Sequence, residues 1–335
     1  EIYTLSLHDA LPISSLGVCQ KCAGLAPNGN FYEVGTNIGA ISAQTLGERA
    51  VQLPMKAFHT GGAASAAGGL TSSFARLEQL LTLPKKIPNA ASLAKVSGTV
   101  TKVQDTKFGT DVWIDNVKHH VGKDAQGQSL TKALPDSVYQ TPWKPPKVGM
   151  KVQAGYRLSD PLRTSLNIHD YYKATKSIDS AQNQLVSEVY DLYKDEGIKR
   201  RHVETIVKSM GSMTKVTDAG ANQDGILRGE FQPLTKVQKI NEDLVKAGKA
   251  PIKHTPTLRG INMLPFIQQE DWMAKMQHQR IPATVAQAAA LGSKSSIHGA
   301  HPVPALVYGA EVGLTQEHVM RPGFGHLFNV KKFHY

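Results

Sequence analysis

The chain has 335 residues, 41% of them hydrophobic and 19% charged, two cysteines, and a formal charge of +11 with neutral histidines. This is the profile of a folded protein with room for two or three cores, not of a disordered polymer, a disulfide scaffold or a bilayer-spanning chain. The charge fits an anionic partner such as nucleic acid or a nucleotide, and equally a basic surface with no specific ligand; the sparse cysteine suits a reducing compartment.

In chain order, residues 1–14 (EIYTLSLHDALPIS) show no continuity with the chain beyond them. They resemble translated adapter sequence, the alternative being a short native strand, and are set aside from fold reasoning. Gly17 to Asn30 reads as a turn-rich knuckle carrying Cys19 and Cys22 in a CxxC. Alone, a CxxC is half a zinc site, a redox pair or nothing. Val34 to Leu83 reads as helical with a flexible centre: Ile38, Ile41 and Leu46 mark one helix, Gly47 a bend, and Thr71 the cap of a second helix with Phe74, Leu77, Leu80 and Leu81 at helical spacing. Between them, Gly61, Gly62, Gly68 and Gly69 make poor helix material, since Gly costs roughly 1 kcal/mol against Ala.

From Ala94 to about Arg157 the period becomes that of strands, with Val96, Val100, Val103, Val112 and Ile114 as the apolar positions and a turn at Lys107 to Thr110. Lys147 to Leu158 reads as a hairpin. Helices return after Ser177: Ala181 to Glu196 stopped by Gly197, Arg201 to Met210, Leu234 to Ala247, and Asp271 to Ala290 interrupted by Pro282. Gly292 to Val312 reads as looped and strand-like. The expected class is α+β.

The run from Val34 to Gly69 (VGTNIGAISAQTLGERAVQLPMKAFHTGGAASAAGG) resembles the trigger loop of the largest catalytic subunit of multisubunit RNA polymerases, beta-prime in bacteria. Gly39, Ile41, Ala43, Gln44, Gly47, Glu48, Gln52, Leu53, Met55, Phe58, His59, Gly61 and Gly62 match the family pattern at fixed spacing. The likeness continues through 74–86, the strand at 96–103, the segment from Val148 to Pro161 with Ser159 and Asp160, the helices at 185–198 and 201–210, Leu258 to Ile261, and Ala288 to Gly313. The whole is similar to the C-terminal part of beta-prime. On that likeness the divisions are a non-native leader at 1–14, half a zinc knuckle at 15–33, the trigger-loop helical hairpin at 34–93, a small β module at 94–161, a helical and mixed region at 162–313, and a tail at 314–335.

The resemblance implies roles. His59 would sit by the phosphates of the incoming nucleoside triphosphate, as a positional or acid catalyst on pyrophosphate; outside this motif a lone His is an ordinary surface or core residue. Lys56 would bring positive charge to the triphosphate, where the family has Arg, keeping charge and losing the planar grip; the bland alternative is a solvated helix lysine. Met55 would pack on the base, its alternative being helix core. Gln52 would read the ribose hydroxyls, its alternative being a capping or exposed amide. The four glycines would act as loop hinges, their alternative being a passive linker.

Departures from the family are Arg49-Ala50-Val51 after Glu48, Pro54 before Met55, and Lys56. Neither an NADFDGD motif nor a bridge helix occurs, so the Mg2+ ions of nucleotidyl transfer would be held by another part of the enzyme and the chain would be inactive alone. Cys19 and Cys22 would be the last pair of a four-cysteine Zn2+ site. The divergence suggests a split viral subunit of the large-phage kind, the competing explanation being a truncated cellular one. Implied partners are the beta subunit, the remainder of beta-prime, template DNA, RNA and nucleoside triphosphates, in the cytoplasm and with no membrane. The rival is a non-catalytic nucleic-acid-binding or assembly subunit on the same scaffold.

Overall fold

A computed structural model describes residues 18, 20–33, 36, 38–59, 69–124, 126–132, 143–193, 197–222, 225–263 and 281–292, with the backbone alone at 51–59, 69–73 and 281. The chain divides into two compact units, residues 83–184 and residues 1–82 with 185–335. Together they hold helices and antiparallel sheets, an α+β architecture.

The unit of residues 83–184 is built on a four-stranded antiparallel sheet. Its strands are β1 (Gly98–Thr106), β2 (Gly109–Ile114), β3 (Val117–Val121) and β4 (Lys151–Val152), in the order β3-β2-β1-β4. Alternation sends Val100, Val112, Ile114 and Val121 to one face, where they form a core with Ala94, Val152 and Leu158. The ladder slips between Val100 and Lys102, and the Thr101 hydroxyl at that slip reaches the Asp115 carbonyl at 3.1 Å. The expected hairpin at 147–158 does not form. Lys151 and Val152 pair with Thr99 and Gly98 of β1, and Arg157 bridges to Leu93, because Val152 and Leu158 enter the same core as Val100.

Ser159 and Asp160 close this unit. The Ser159 hydroxyl accepts from the Ser92 amide at 3.0 Å, and the buried Asp160 carboxylate accepts from the Leu162 amide and from Arg163 Nε, both at 2.9 Å. Arg163 also reaches Asp124 at 2.8 Å. Inside the sheet His119 takes a fixed tautomer. Its Nδ1 donates to the Val117 carbonyl at 3.1 Å, so Nε2 accepts from the Lys95 amide at 2.9 Å, and burial holds the ring's pKa below its ordinary value. Helix α4 (Ile168–Thr175) comes next in the chain, capped by Asn167, whose side chain accepts from the His169 amide at 2.9 Å.

The other unit holds α1 (Gln20–Ala23), α2 (Ile38–His59), α3 (Gly69–Thr82), the last turns of α5 (Ile178–Tyr193) and α6 (Arg200–Met210). Neither Gly47 nor Pro54 breaks α2, and α3 begins at Gly69, so Thr71 lies inside it rather than capping it. Beyond α6 lies a three-stranded antiparallel sheet, β5 (Met213–Asp218), β6 (Phe231–Pro233) and β7 (Lys253–Thr257), ordered β6-β5-β7. Helix α7 (Leu234–Lys246) covers it, and Val216, Ile226, Val237, Leu244 and Ile252 form the shared core. Nothing in the periodicity of the sequence announces this sheet. Helix α8 (Ile281–Leu291) carries Pro282 in its first turn, where a missing N–H costs nothing; residues 264–280 lie outside the described residues.

Candidate nucleotide-addition site

Helix α2 is the element that carries the candidate residues. It is 22 residues long and runs from Ile38 to His59. Ile38, Ser42 and Leu46 recur every fourth residue and are buried, so one stripe of the first half faces inward against α6 and α3. In the last turns the helical backbone brings positions 52, 55, 56 and 59 to a single stripe by their spacing of three, one and three. These are Gln52, Met55, Lys56 and His59, and their side chains lie outside what the structure describes. Gly61, Gly62 and Gly68 are likewise outside the described residues; Gly69 is the first residue of α3.

Pro54 sits between Gln52 and Met55. It has no N–H, so the Ala50 carbonyl lacks its normal helical donor four residues on. α2 therefore lacks the one rung at Ala50 while its helix continues to His59.

The first half of α2 is held by side chains distant in sequence. The Tyr193 hydroxyl donates to the Leu46 carbonyl at 3.0 Å. Tyr193 is only 1% exposed, and burial pushes its phenol pKa well above the ordinary value. Ser42 Oγ and His202 Nδ1 stand 3.2 Å apart. Burial, with Arg201 and Lys199 nearby, pulls the His202 pKa down to about 4, so the ring is neutral at physiological pH. One turn of α6 thus carries a neutral imidazole onto α2. Glu204 on the same helix accepts from Arg200 Nε at 3.0 Å through one oxygen, while the other has no partner among the described residues; burial raises its pKa.

The knuckle is tied to the same helix. Arg201 Nη2 donates to the Leu25 carbonyl at 2.7 Å. Gly24 permits this, since its φ is +73° and a Cβ there would stand 2.0 Å from Arg201 Nη1. Of the CxxC, Cys22 lies half-buried on α1 and Cys19 is outside the described residues. Among the described residues no group of three or more His, Cys, Asp or Glu fits a metal ion. The described residues thus fit neither a tetrahedral Zn2+ nor a Mg2+ pair.

Sequence reasoning passed over Ser42, Tyr193 and His202. Tyr193 does continue the stripe of Leu185 and Val189, which is the one local signal it carries. Its partner is 147 residues away, and that of His202 is 160 residues away, distances at which periodicity says nothing.

Residues 25–234 match the sequence profile of RNA polymerase Rpb1, domain 5. The chain belongs to that family. It is 28% identical over 286 residues to the DNA-directed RNA polymerase subunit beta' of Thermus thermophilus, a match covering 84% of this chain and 17% of that subunit. The beta' subunit of Alkaliphilus oremlandii is 30% identical over 286 residues, covering 84% and 22%. That of Finegoldia magna is 31% identical over 251 residues, covering 73% and 19%. The chain thus spans about a fifth of the length of these relatives. Among the described residues no helix is long and apolar enough to cross a membrane.

Proposed function

We propose that this chain serves a DNA-directed RNA polymerase by supplying the trigger loop, which closes on the incoming nucleoside triphosphate during template-directed RNA synthesis. Supporting this is a single helix, α2, that carries Gln52, Met55, Lys56 and His59 on one stripe in a chain of the Rpb1 domain 5 family. In the reaction the RNA 3′ hydroxyl attacks the α-phosphate and pyrophosphate leaves. His59 stands by the leaving phosphates, where an imidazole titrating near neutrality can donate a proton or a hydrogen bond. Lys56 adds positive charge there, Met55 lies against the base, and Gln52 reads the ribose. Closure excludes water and checks the fit; opening lets the enzyme advance. The metal ions of the transfer belong to other parts of the polymerase, and no residue here is assigned to them. The rest of the chain contributes to the DNA channel and to contacts with the beta subunit and the remainder of beta-prime.

Amide exchange over residues 51–69 in the assembled polymerase tests closure. Cognate nucleoside triphosphate should slow exchange there, and a mismatched one should not. Equal exchange with and without nucleotide would leave the chain as an assembly subunit whose loop does not cycle.

A further inference from the structure

The two helices of the proposed trigger hairpin are pinned by groups that the hairpin does not itself contain. On α2, the Tyr193 hydroxyl holds the Leu46 carbonyl at 3.0 Å and His202 meets the buried Ser42 hydroxyl at 3.2 Å. On α3, Arg76 Nη2 pairs with Glu188 Oε2 at 2.8 Å, with both side chains mostly buried. At the end of α3 the Ile261 amide donates to the Leu81 carbonyl at 2.9 Å. Gly260 lets that stretch of chain approach, since a Cβ there would stand 2.1 Å from the Thr82 carbonyl oxygen. Glu188 and Tyr193 belong to one helix, α5, so a single element grips both halves of the hairpin. The described anchors on α2 reach as far as Leu46, one turn before the missing rung between the Ala50 carbonyl and Pro54.

We propose that Tyr193, with Glu188 and His202, forms a set of positioning residues for nucleotide addition, which fixes the base of the α2–α3 pair so that residues 52, 55, 56 and 59 are presented at a constant height and rotation. The geometry accounts for the choice of groups. A hydroxyl on a helix carbonyl that already belongs to the ladder adds a bond without breaking one, so it fixes the axial position of α2 and leaves its helicity intact. A mostly buried Arg–Glu pair adds a charge-assisted hydrogen bond, stronger than one between neutral groups. Pro54, with its missing rung at Ala50, lies C-terminal to the described anchors at Ser42 and Leu46. This inference rests on the trigger-loop reading proposed for the chain.

The test uses the assembled polymerase with Tyr193→Phe, which removes one oxygen and keeps the ring in its cavity, and with Ser42→Ala as a second, independent cut at the anchor. Amide exchange over residues 38–50 should rise about three- to tenfold in each, while exchange over β1 to β3 stays constant. The rate of single-nucleotide addition at saturating nucleotide should fall about three- to tenfold, with little change in apparent nucleotide affinity. In a His59→Ala background the same Tyr193→Phe change should cost less than it does in the parent, because part of its effect runs through His59. Unchanged exchange over 38–50 overturns the anchor. Rate losses that multiply between Tyr193→Phe and His59→Ala overturn the positioning role, since they mark a general structural loss. A His59→Ala enzyme that adds nucleotides at the normal rate overturns the trigger-loop reading itself, and the exchange measurement then still decides whether the anchor exists.

Discussion

His202 shows how one buried side chain ties pH to the state of a helix. In the fold it titrates at about 4, whereas a histidine in the unfolded chain titrates near 6.5. Between those values the unfolded state holds the extra proton, so stability falls as pH drops from 6.5 toward 4 and is fully regained above 6.5. Glu204 works the other way. Its pKa is raised by burial, so the folded state takes the proton first and gains stability as pH falls through that raised pKa. His202→Asn isolates the first effect. Its denaturation midpoint should vary less with pH between 6.5 and 4 than that of the parent chain. An identical pH profile would mean that His202 is as accessible to protons in the fold as out of it.

At the scale of elements, Pro54 and Asp160 give opposite predictions. Pro54→Ala restores an amide for the Ala50 carbonyl and removes the worst helix residue from α2. It should stabilise residues 51–59 by about 1–3 kcal/mol, read as slower amide exchange in that stretch. Exchange as fast as in the parent would show that the gap at Pro54 is already bridged. Asp160→Ala strips a fully buried carboxylate from Arg163 and should cost about 3 kcal/mol. Urea unfolding followed through Trp113 and Trp143 of that unit would register it as a lower midpoint, and an unmoved midpoint would show that Asp124 and the Ser129 and Lys132 carbonyls hold Arg163 without it.

The elements also show what a sequence can and cannot disclose. Helices α2, α3, α5, α6 and α7 are legible because each carries an apolar stripe at helical spacing, and β1 and β2 because β-branched apolar residues cluster there, Val100 and Val103 in one and Val112 and Ile114 in the other. β3 escaped notice because its inward positions include His119, whose ring is satisfied by two backbone groups that no local pattern announces. β7 reads KHTPT, a polar edge strand with a proline, and β6 is three residues long; neither has enough apolar alternation to be seen. The hairpin at 147–158 failed for the complementary reason, that its apolar residues had a better partner in β1. The candidate residues on α2 were found through resemblance, and the side chains that hold α2 were not, because they come from helices far along the chain.

For the whole molecule the governing facts are the division into two units and the charge of +11. A chain with that excess of Lys and Arg should bind duplex DNA with an affinity that falls as salt rises, by about 0.9 in log–log slope for each phosphate neutralised. Filter binding across a salt series would read that slope, and a flat line would assign the charge to surfaces that meet other protein. The role proposed for His59, at the end of α2, is a part in nucleotide addition, and the rate of single-nucleotide addition in an assembled polymerase carrying His59→Ala reads it. The expected result is a loss on the order of a hundredfold at saturating nucleotide, with the polymerase still assembled on its template. An unchanged rate would remove His59 from the chemistry and leave the chain as a non-catalytic part of the same scaffold.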